Sequence, residues 1–174
     1  LMVAASGTAV FVEQAGGEPL SSEYLHFIVD ELKPFIDRNY PTLPEPAHTL
    51  VMGSSMGGLI SLYALIEYPE IFGRAGCLST HWPIMDEMMV TILGKLLPNA
   101  GKHKLYFDHG TETLDQEYEP YQRLMDESMQ VAGYEAGRDW LTRKFDGAEH
   151  SERAWRARIS LPLTFLLGVE NWHR

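Results

Sequence analysis

The residues with the clearest potential for chemistry are the serines of Gly53-Ser54-Ser55-Met56-Gly57, a motif followed by Gly58. A short apolar run precedes the motif and a helical pattern follows it, so the glycines lie at a tight turn from a strand into a helix. Glycines two positions before and after the central residue remove side chains that would collide with neighbouring backbone. This spacing centres on Ser55 rather than Ser54 and predicts Ser55 as a nucleophile. The alternative is a glycine turn that only lets a helix pack closely on a strand.

The helix that follows Ser55 begins with N–H groups that have no partner within the helix. Together with the helix dipole, these groups favour negative charge developing on a bound carbonyl oxygen. We therefore expect the backbone N–H of Met56 to be the first oxyanion donor. Ser54, next to the nucleophile, is expected to border the substrate pocket.

Seven histidines are candidates for the general base that would activate the serine. His150 lies between the last predicted strand and the last predicted helix, where a base follows the nucleophile and the acid in chain order. We predict that His150 is the base, and the alternative is a histidine in a helix-capping loop. His81 and His109 follow strand ends and are expected, with Trp82, to line the substrate pocket. The other four histidines are read as exposed or packing residues: His26, His48, His103 and His173.

Three carboxylates near the end of one predicted strand are candidates for the acid that orients the base. The acid accepts the histidine Nδ1–H, fixes the tautomer and stabilises the imidazolium. Asp108 is still on the strand and is expected to make structural contacts, and Asp115 is a favoured residue type for capping the next helix. Glu112 has no evident structural role, so it is the preferred acid, with Asp115 second and Asp108 third. A serine–histidine pair without an acid is a further alternative.

Strand and helix patterns alternate along the whole chain. Strands are predicted from short apolar or β-branched runs at Thr8–Glu13, His48–Gly53, Arg74–Ser79, Lys104–Asp108 and Arg138–Phe145. Helices are predicted from apolar spacing at Ser21–Asn39, Met56–Tyr68, Met85–Leu97, Gln116–Ala132 and Glu152–Gly168. Pro34 is expected to kink the first helix or to begin a new first turn within it. Single helices between strands predict an α/β domain over residues 1–174, with a mostly parallel sheet covered on both faces.

The amino terminus indicates that the chain starts inside a longer protein. It begins Leu1-Met2-Val3, without an initiator methionine and without the charged segment of a signal peptide. Five strands are also few for a doubly wound sheet. We therefore expect this chain to be the carboxyl-terminal part of a parent chain whose amino-terminal strands are missing here.

The composition excludes several classes of function. The chain has 174 residues and a formal net charge of −10, which argues against nucleic acid because phosphate binding needs a basic face. No apolar run approaches the ~20 residues that a membrane span needs. One cysteine, Cys77, allows neither an internal disulfide nor a cysteine-rich zinc site. We expect a small-molecule substrate and no metal or organic cofactor, whereas the compartment and the oligomeric state stay open.

Four stretches of the chain resemble the Putative esterase family, which includes esterase D, enterochelin esterases and feruloyl esterases. They are Glu31–Asp37, Gly53–Leu59, Tyr68–Phe72 and Gly147–His150. The resemblance implies an α/β-hydrolase fold and a serine esterase that acts through an acyl-enzyme. Carried over by position, it implies Ser55 as nucleophile, His150 as base and a carboxylate just after Gly110 as acid.

The chain departs from the pattern of this family in two ways. The family often has its acid three residues after the glycine, and that position is Thr113 here, which leaves Glu112 or Asp115. The family's first strands and the loop of its second oxyanion donor lie upstream of anything present. Acyltransferase or thioesterase activity on the same triad, or a non-catalytic binding module of this fold, are the alternatives to an esterase.

Overall fold

Five strands form one parallel sheet in the computed structural model, which describes residues 2–5 and 21–168. The strands are β1 (Met2–Ala5), β2 (Leu50–Ser54), β3 (Arg74–Leu78), β4 (Lys104–His109) and β5 (Trp140–Lys144). They lie side by side in chain order, and every neighbouring pair is parallel. Their carboxyl ends therefore meet at one edge of the sheet, so the segments that follow β2 to β5 all emerge at that edge.

Helical segments connect the strands. They are α1 (Ser21–His26), α2 (Lys33–Asn39), α3 (Met56–Glu67), α4 (Glu87–Lys95), α5 (Glu119–Val131), α6 (Glu152–Arg158) and α7 (Ser160–Leu167). A π-helical segment, Phe27–Leu32, joins α1 to α2, and Pro34 lies in the first turn of α2, where its missing N–H costs least. Over residues 2–5 and 21–168, none of the helices combines the length and the apolar character that crossing a bilayer requires.

The core lies on both faces of the sheet. On one face Val51, Cys77 and Phe107 of the strands pack with α3, α4 and α5. On the other face Met52 and Tyr106 pack with residues of α6 and α7. This alternation along the strands is what a sheet buried on two sides requires. The predicted α/β fold with a parallel sheet covered on both faces is therefore confirmed.

Besides the helix predicted over Ser21–Asn39, three predicted helices begin late or are divided, and proline accounts for two of these differences. The helix predicted from Gln116 is a 3₁₀ turn, Thr113–Glu117, followed by α5, whose first turn contains Pro120. The helix predicted over Glu152–Gly168 is divided into α6 and α7, because Pro162 has no N–H to donate to the carbonyl four residues earlier.

The third difference concerns the helix predicted over Met85–Leu97. A 3₁₀ turn, Trp82–Met85, comes before α4, and Asp86 between them has a φ of 49°, which interrupts the helix. The predicted strand Thr8–Glu13 lies outside the described residues.

Candidate active site

The chain turns sharply at Ser55, between β2 and α3. Ser55 has φ 57° and ψ −121°, a conformation that non-glycine residues rarely adopt. Its N–H donates to the carbonyl oxygen of Leu78 on the adjacent strand over 2.8 Å. A Cβ atom on Gly53 would lie 2.5 to 2.8 Å from backbone atoms of Gly57, so the first glycine of the motif is required sterically. The turn therefore holds Ser55 in a strained and partly exposed position at the carboxyl edge of the sheet.

The N-terminus of α3 lies directly after Ser55. Met56 is the first residue of this helix, and the Ser55 carbonyl accepts hydrogen bonds from the N–H groups of Gly58 and Leu59. The first N–H groups of a helix have no acceptor within it, so they are available to an anion. The assignment of the Met56 N–H as oxyanion donor remains a prediction. Ser54, the last residue of β2, is partly buried beside the turn.

The carboxylate beside the His150 ring belongs to Asp115. Its Oδ1 lies 2.6 Å from Nδ1 of His150. Its Oδ2 accepts hydrogen bonds from the Ser79 hydroxyl over 2.6 Å and from the Gly110 N–H over 2.5 Å. Asp115 is only 1% exposed, so all of these contacts form away from bulk water. A buried carboxylate with three donors is well suited to hold an imidazole in one orientation.

This geometry differs from the sequence-based preference for Glu112. Glu112 is exposed and immediately precedes the 3₁₀ turn Thr113–Glu117, whereas Asp115 lies within that turn and is buried. The sequence also allows Asp115 to cap the next helix, but α5 begins at Glu119 with Tyr118 at its N-cap position, so Asp115 does not cap it. Asp108, the third alternative, is buried in an ion pair with Arg158. The structure brings His150 together with Asp115, the second alternative, and not with Glu112.

Hydrogen bonds to the backbone hold two loops together, the loop after β4 that contains Asp115 and the loop after β5 that contains His150. The Ala148 carbonyl accepts the N–H groups of Thr111 and Glu112 over 3.1 and 3.0 Å. The Thr113 hydroxyl accepts the His150 N–H over 2.8 Å. Thr113, which stands where the family often has its acid, therefore holds the backbone of the predicted base instead. These bonds fix the position of His150 relative to Asp115.

Gly110 is required where these two loops cross. A Cβ atom at this position would overlap the Ala148 carbonyl group and approach Asp115 Oδ2 to 3.1 Å. We expect Gly110→Ala to destabilise the protein by about 1–3 kcal/mol, the usual cost of forcing an extra methyl into a packed site. Urea unfolding monitored by circular dichroism measures this difference. An unchanged midpoint and slope would contradict the close crossing of the loops.

The hydrogen bonds to Asp115 also set its ionisation. Burial by itself would raise the pKa of Asp115, but the hydrogen bonds from His150, Ser79 and the Gly110 N–H outweigh burial and hold the pKa below its ordinary value. Asp115 is therefore a carboxylate near neutral pH, as an acceptor for a histidine N–H must be.

Aromatic rings enclose His150 on two sides. The rings of Tyr118 and Trp155 meet the imidazole edge to face, with centroids 5.7 and 5.0 Å away. The Tyr118 hydroxyl lies 2.7 Å from Nδ1 of His81, whose backbone N–H donates to the Ser55 carbonyl over 3.2 Å. A chain of direct contacts thus runs from Ser55 through His81 and Tyr118 to His150. Burial, with a smaller contribution from the charge of His150, lowers the pKa of His81.

The other predicted pocket residues are placed differently from one another. Trp82 is 1% exposed, and its Nε1–H donates to Gln122 over 3.2 Å. It packs in the core against Phe107 rather than on an open pocket wall, because the 3₁₀ turn that it begins folds back onto α5. His109 is buried at the end of β4 with Nδ1 2.8 Å from the Gly110 carbonyl oxygen, and His81 is partly buried at the site.

The remaining histidines lie away from this cluster or outside the described residues. His26 is exposed and contacts Asp30 over 3.0 Å, and His103 is buried with Nε2 3.0 Å from the Pro69 carbonyl oxygen. His48 is exposed ahead of β2, and His173 falls outside the described part of the chain. Residues 2–5 and 21–168 contain no group of three or more His, Cys, Asp or Glu side chains arranged to hold a metal ion.

Sequence reasoning missed four residues around His150. They are Ser79, Tyr118, Trp155 and Arg158. Ser79 could have been predicted near the site from the sequence, since it directly follows β3, a strand that ends at the same edge of the sheet as β2 and β4. Tyr118, Trp155 and Arg158 could not, because helical spacing alone does not tell which helix face meets a loop.

Comparisons with known proteins agree with this architecture. A family model described as "Putative esterase" matches residues 3–164. The iron(III) enterobactin esterase of Dickeya dadantii (strain 3937) is 35% identical over 71 residues, which are 37% of this chain and 16% of that protein. The protein YbbA of Bacillus subtilis (strain 168) is 38% identical over 60 residues, which are 34% of this chain and 24% of that protein.

Solved structures with the same fold include two esterases. The enterobactin esterase FES from Shigella flexneri superposes with a TM-score of 0.71 at 21% identity, covering 91% of this chain and 41% of that one. A CE1 ferulic acid esterase from Anaeromyces mucronatus superposes with a TM-score of 0.60 at 16% identity, covering 81% and 54%. The chain spans less than two thirds of the length of each of these four relatives. Because the family model covers most of its length, the chain belongs to the Putative esterase family, and its fold is that of the α/β-hydrolases.

Proposed function

We propose that this chain carries the nucleophile, the base and the acid of a serine carboxylic ester hydrolase, namely Ser55, His150 and Asp115. The observation that carries the proposal is the 2.6 Å contact between His150 Nδ1 and Asp115 Oδ1, at the sheet edge where the strained turn presents Ser55. Membership of the Putative esterase family supports the same reaction class.

The proposed reaction is acyl transfer in two steps. Asp115 accepts the Nδ1–H of His150, which leaves Nε2 unprotonated and able to take the proton of the Ser55 hydroxyl. Ser55 Oγ then attacks the ester carbonyl, and the protonated His150 gives its proton to the departing alcohol. Water repeats the sequence on the acyl-enzyme and releases the acid. In this scheme His150 takes up and releases the proton in every transfer.

Stabilisation of the tetrahedral intermediate falls to the N-terminus of α3. The Met56 N–H follows the nucleophile directly, and the dipole of a helix of twelve residues reinforces it. Two further features serve this step indirectly: the N–H groups that donate to the Ser55 carbonyl fix the turn, and Gly53 lets α3 approach β2 closely.

Small-molecule esters are the substrate class that we propose. Relatives of this chain are named for enterobactin and for ferulic acid. The neighbourhood of His150 is aromatic, with Tyr118 and Trp155 against the ring and His81 beside Tyr118. A net charge of −10 also disfavours polyanionic substrates such as nucleic acid.

Active-site labelling tests the proposal directly. A fluorophosphonate probe reacts only with an activated serine, so we expect one adduct per chain, which mass spectrometry of tryptic peptides locates on Ser55. Ser54→Ala is the matched control and keeps the label, whereas His150→Gln prevents it because the base is missing. A folded chain that stays unlabelled would contradict the proposal and favour a non-catalytic binding module of this fold.

A further inference from the structure

A buried hydroxyl lies behind the predicted acid. Ser79 follows β3 at a φ of 42°, is 0% exposed, and is bonded through its backbone N–H to the Asp108 carbonyl oxygen over 2.8 Å. Its Oγ has three partners: Asp115 Oδ2 at 2.6 Å, Trp155 Nε1 at 3.0 Å and Arg158 Nη2 at 2.9 Å. All of the hydrogen-bonding capacity of this hydroxyl is therefore used within the protein.

The direction of each of these hydrogen bonds is fixed by chemistry. A serine hydroxyl has one proton to donate and two lone pairs that accept. The indole N–H of Trp155 and the guanidinium of Arg158 are donors only, so they occupy the two lone pairs. The single hydroxyl proton must then point at Asp115. The orientation of the Ser79 proton thus follows from its partners and not from a rotamer choice.

Arg158 is itself held rigidly. It is 4% exposed and donates from Nε and Nη2 to the two carboxylate oxygens of Asp108, over 3.2 and 2.9 Å. Two parallel bonds of this kind fix the plane of the guanidinium. A positive charge that donates to the Ser79 oxygen also polarises the hydroxyl and strengthens its bond to Asp115.

These contacts determine which oxygen of Asp115 faces the histidine. Oδ2 is occupied by the Ser79 hydroxyl and the Gly110 N–H, so Oδ1 is the oxygen left for His150. Trp155 adds a second constraint, because the same indole that donates to Ser79 packs against the His150 ring. The buried hydroxyl is thereby connected to both members of the acid–base pair.

We propose that Ser79 is a positioning residue that, oriented by Trp155 and Arg158, locks the Asp115 carboxylate so that Oδ1 alone accepts the hydrogen bond from the His150 Nδ1–H. This inference rests on the proposed function, in which Asp115 and His150 form the acid–base pair. Ser79 would act on the reaction through Asp115, the residue that its hydroxyl contacts.

Two substitutions separate the hydroxyl from the backbone conformation. Ser79→Ala removes the hydroxyl at a positive φ, and Ser79→Gly removes it while making that φ unstrained. A misplacement of about 1 Å in such a pair costs on the order of 100-fold in rate, and the Gly110 N–H still holds Oδ2 in both variants. We therefore expect kcat for a short p-nitrophenyl ester to fall about 10- to 100-fold in each variant, with KM within about twofold.

A spectroscopic measurement reports the hydrogen bond between His150 and Asp115 without any substrate turnover. The Nδ1 proton of His150, identified in the downfield ¹H spectrum by its loss in His150→Gln, is expected to be visible in the wild type. It should broaden and shift upfield in both Ser79 variants, because the carboxylate that shields it from solvent exchange has lost one of the two hydrogen bonds at Oδ2. Circular dichroism and thermal unfolding verify that both variants are folded.

Ser128→Ala is the control for removing a hydroxyl. Ser128 donates to the Leu124 carbonyl within α5, away from the site, so this variant should keep both kcat and the downfield proton. Unchanged kcat and an unchanged proton signal in both Ser79 variants would overturn the inference. Recovery of activity in Ser79→Gly but not in Ser79→Ala would also overturn it, since the effect would then come from backbone strain.

The inference and the proposed function fail in different ways. A wild-type chain that hydrolyses no ester and takes no fluorophosphonate label contradicts the proposed function, while the downfield proton still tests the Ser79 bond. An active wild type whose Ser79 variants are equally active contradicts only the role of Ser79.

Discussion

Replacing Ser55 with alanine is expected to lower kcat for a short p-nitrophenyl ester by about a millionfold, the loss that follows removal of a triad nucleophile. The backbone at Ser55 is fixed, with a φ of 57° and a hydrogen bond from its N–H to Leu78 of the next strand. We therefore expect that the turn cannot move another hydroxyl into the place of the missing one. The measurement is the initial rate of p-nitrophenol release at saturating ester.

Two controls accompany the Ser55→Ala measurement. The far-ultraviolet circular dichroism spectrum should be unchanged, because the substitution removes a single oxygen from a partly exposed side chain. Ser54→Ala, one residue earlier, should keep kcat within about threefold of wild type, because the Ser54 hydroxyl takes no part in the proposed proton transfers. Retained hydrolysis in Ser55→Ala would reject the assignment of the nucleophile.

Asp115→Asn is expected to lower kcat by about ten-thousandfold, through the wrong tautomer of the histidine. The two donors that meet Oδ2, the Ser79 hydroxyl and the Gly110 N–H, require an acceptor there, so the amide oxygen must take that place. The amide NH₂ then faces Nδ1 of His150 and donates to it. His150 would carry its proton on Nε2, where it cannot accept the proton of Ser55.

Glu112→Gln is the matched control, since it makes the same change of carboxylate to amide three residues away. Glu112 is exposed, so kcat should stay within about twofold of wild type. A large loss in Glu112→Gln together with a small loss in Asp115→Asn would return the role of the acid to Glu112. Thermal unfolding of both variants shows whether either loss comes from instability.

The elements that position the site were predictable because each one has a recognisable pattern in its local sequence. The strand before Ser55, the helix after it and the loop that holds His150 all follow from apolar periodicity and from the glycines of the motif. The steric need for Gly53, whose Cβ would meet the backbone of Gly57, is the physical origin of that signal. A motif that depends on backbone approach is readable in a sequence because only one residue type satisfies it.

The contact between Asp115 and His150 was less predictable because it depends on three-dimensional packing. The sequence shows a loop with three carboxylates, but it does not show that a 3₁₀ turn rotates Asp115 inward and leaves Glu112 exposed. The start of α5 at Glu119, next to Pro120, removes the capping role that had counted against Asp115. The short-range preference of aspartate for helix caps was outweighed by the start position of the helix.

The buried polar contacts behind the acid were not predictable at all. Ser79, Trp155 and Arg158 come from the end of a strand and from a later helix, 76 and 79 residues apart along the chain from the serine. Hydrogen bonds between such distant residues leave no periodic pattern. Only the packing of α6 against the sheet brings them together.

The crossing of the two loops at Ala148 has a consequence for thermal motion. Because the Ala148 carbonyl, the Thr113 hydroxyl and the Asp115 carboxylate join these loops at several points, we expect the imidazole and the carboxylate to move together. The turn that carries Ser55, the proposed nucleophile, is joined to this pair at the end of β3, since Leu78 accepts the Ser55 N–H and the next residue, Ser79, donates to Asp115. We therefore expect displacements of the proposed nucleophile relative to the proposed acid–base pair to be small, and to pass through Leu78 and Ser79 of the chain.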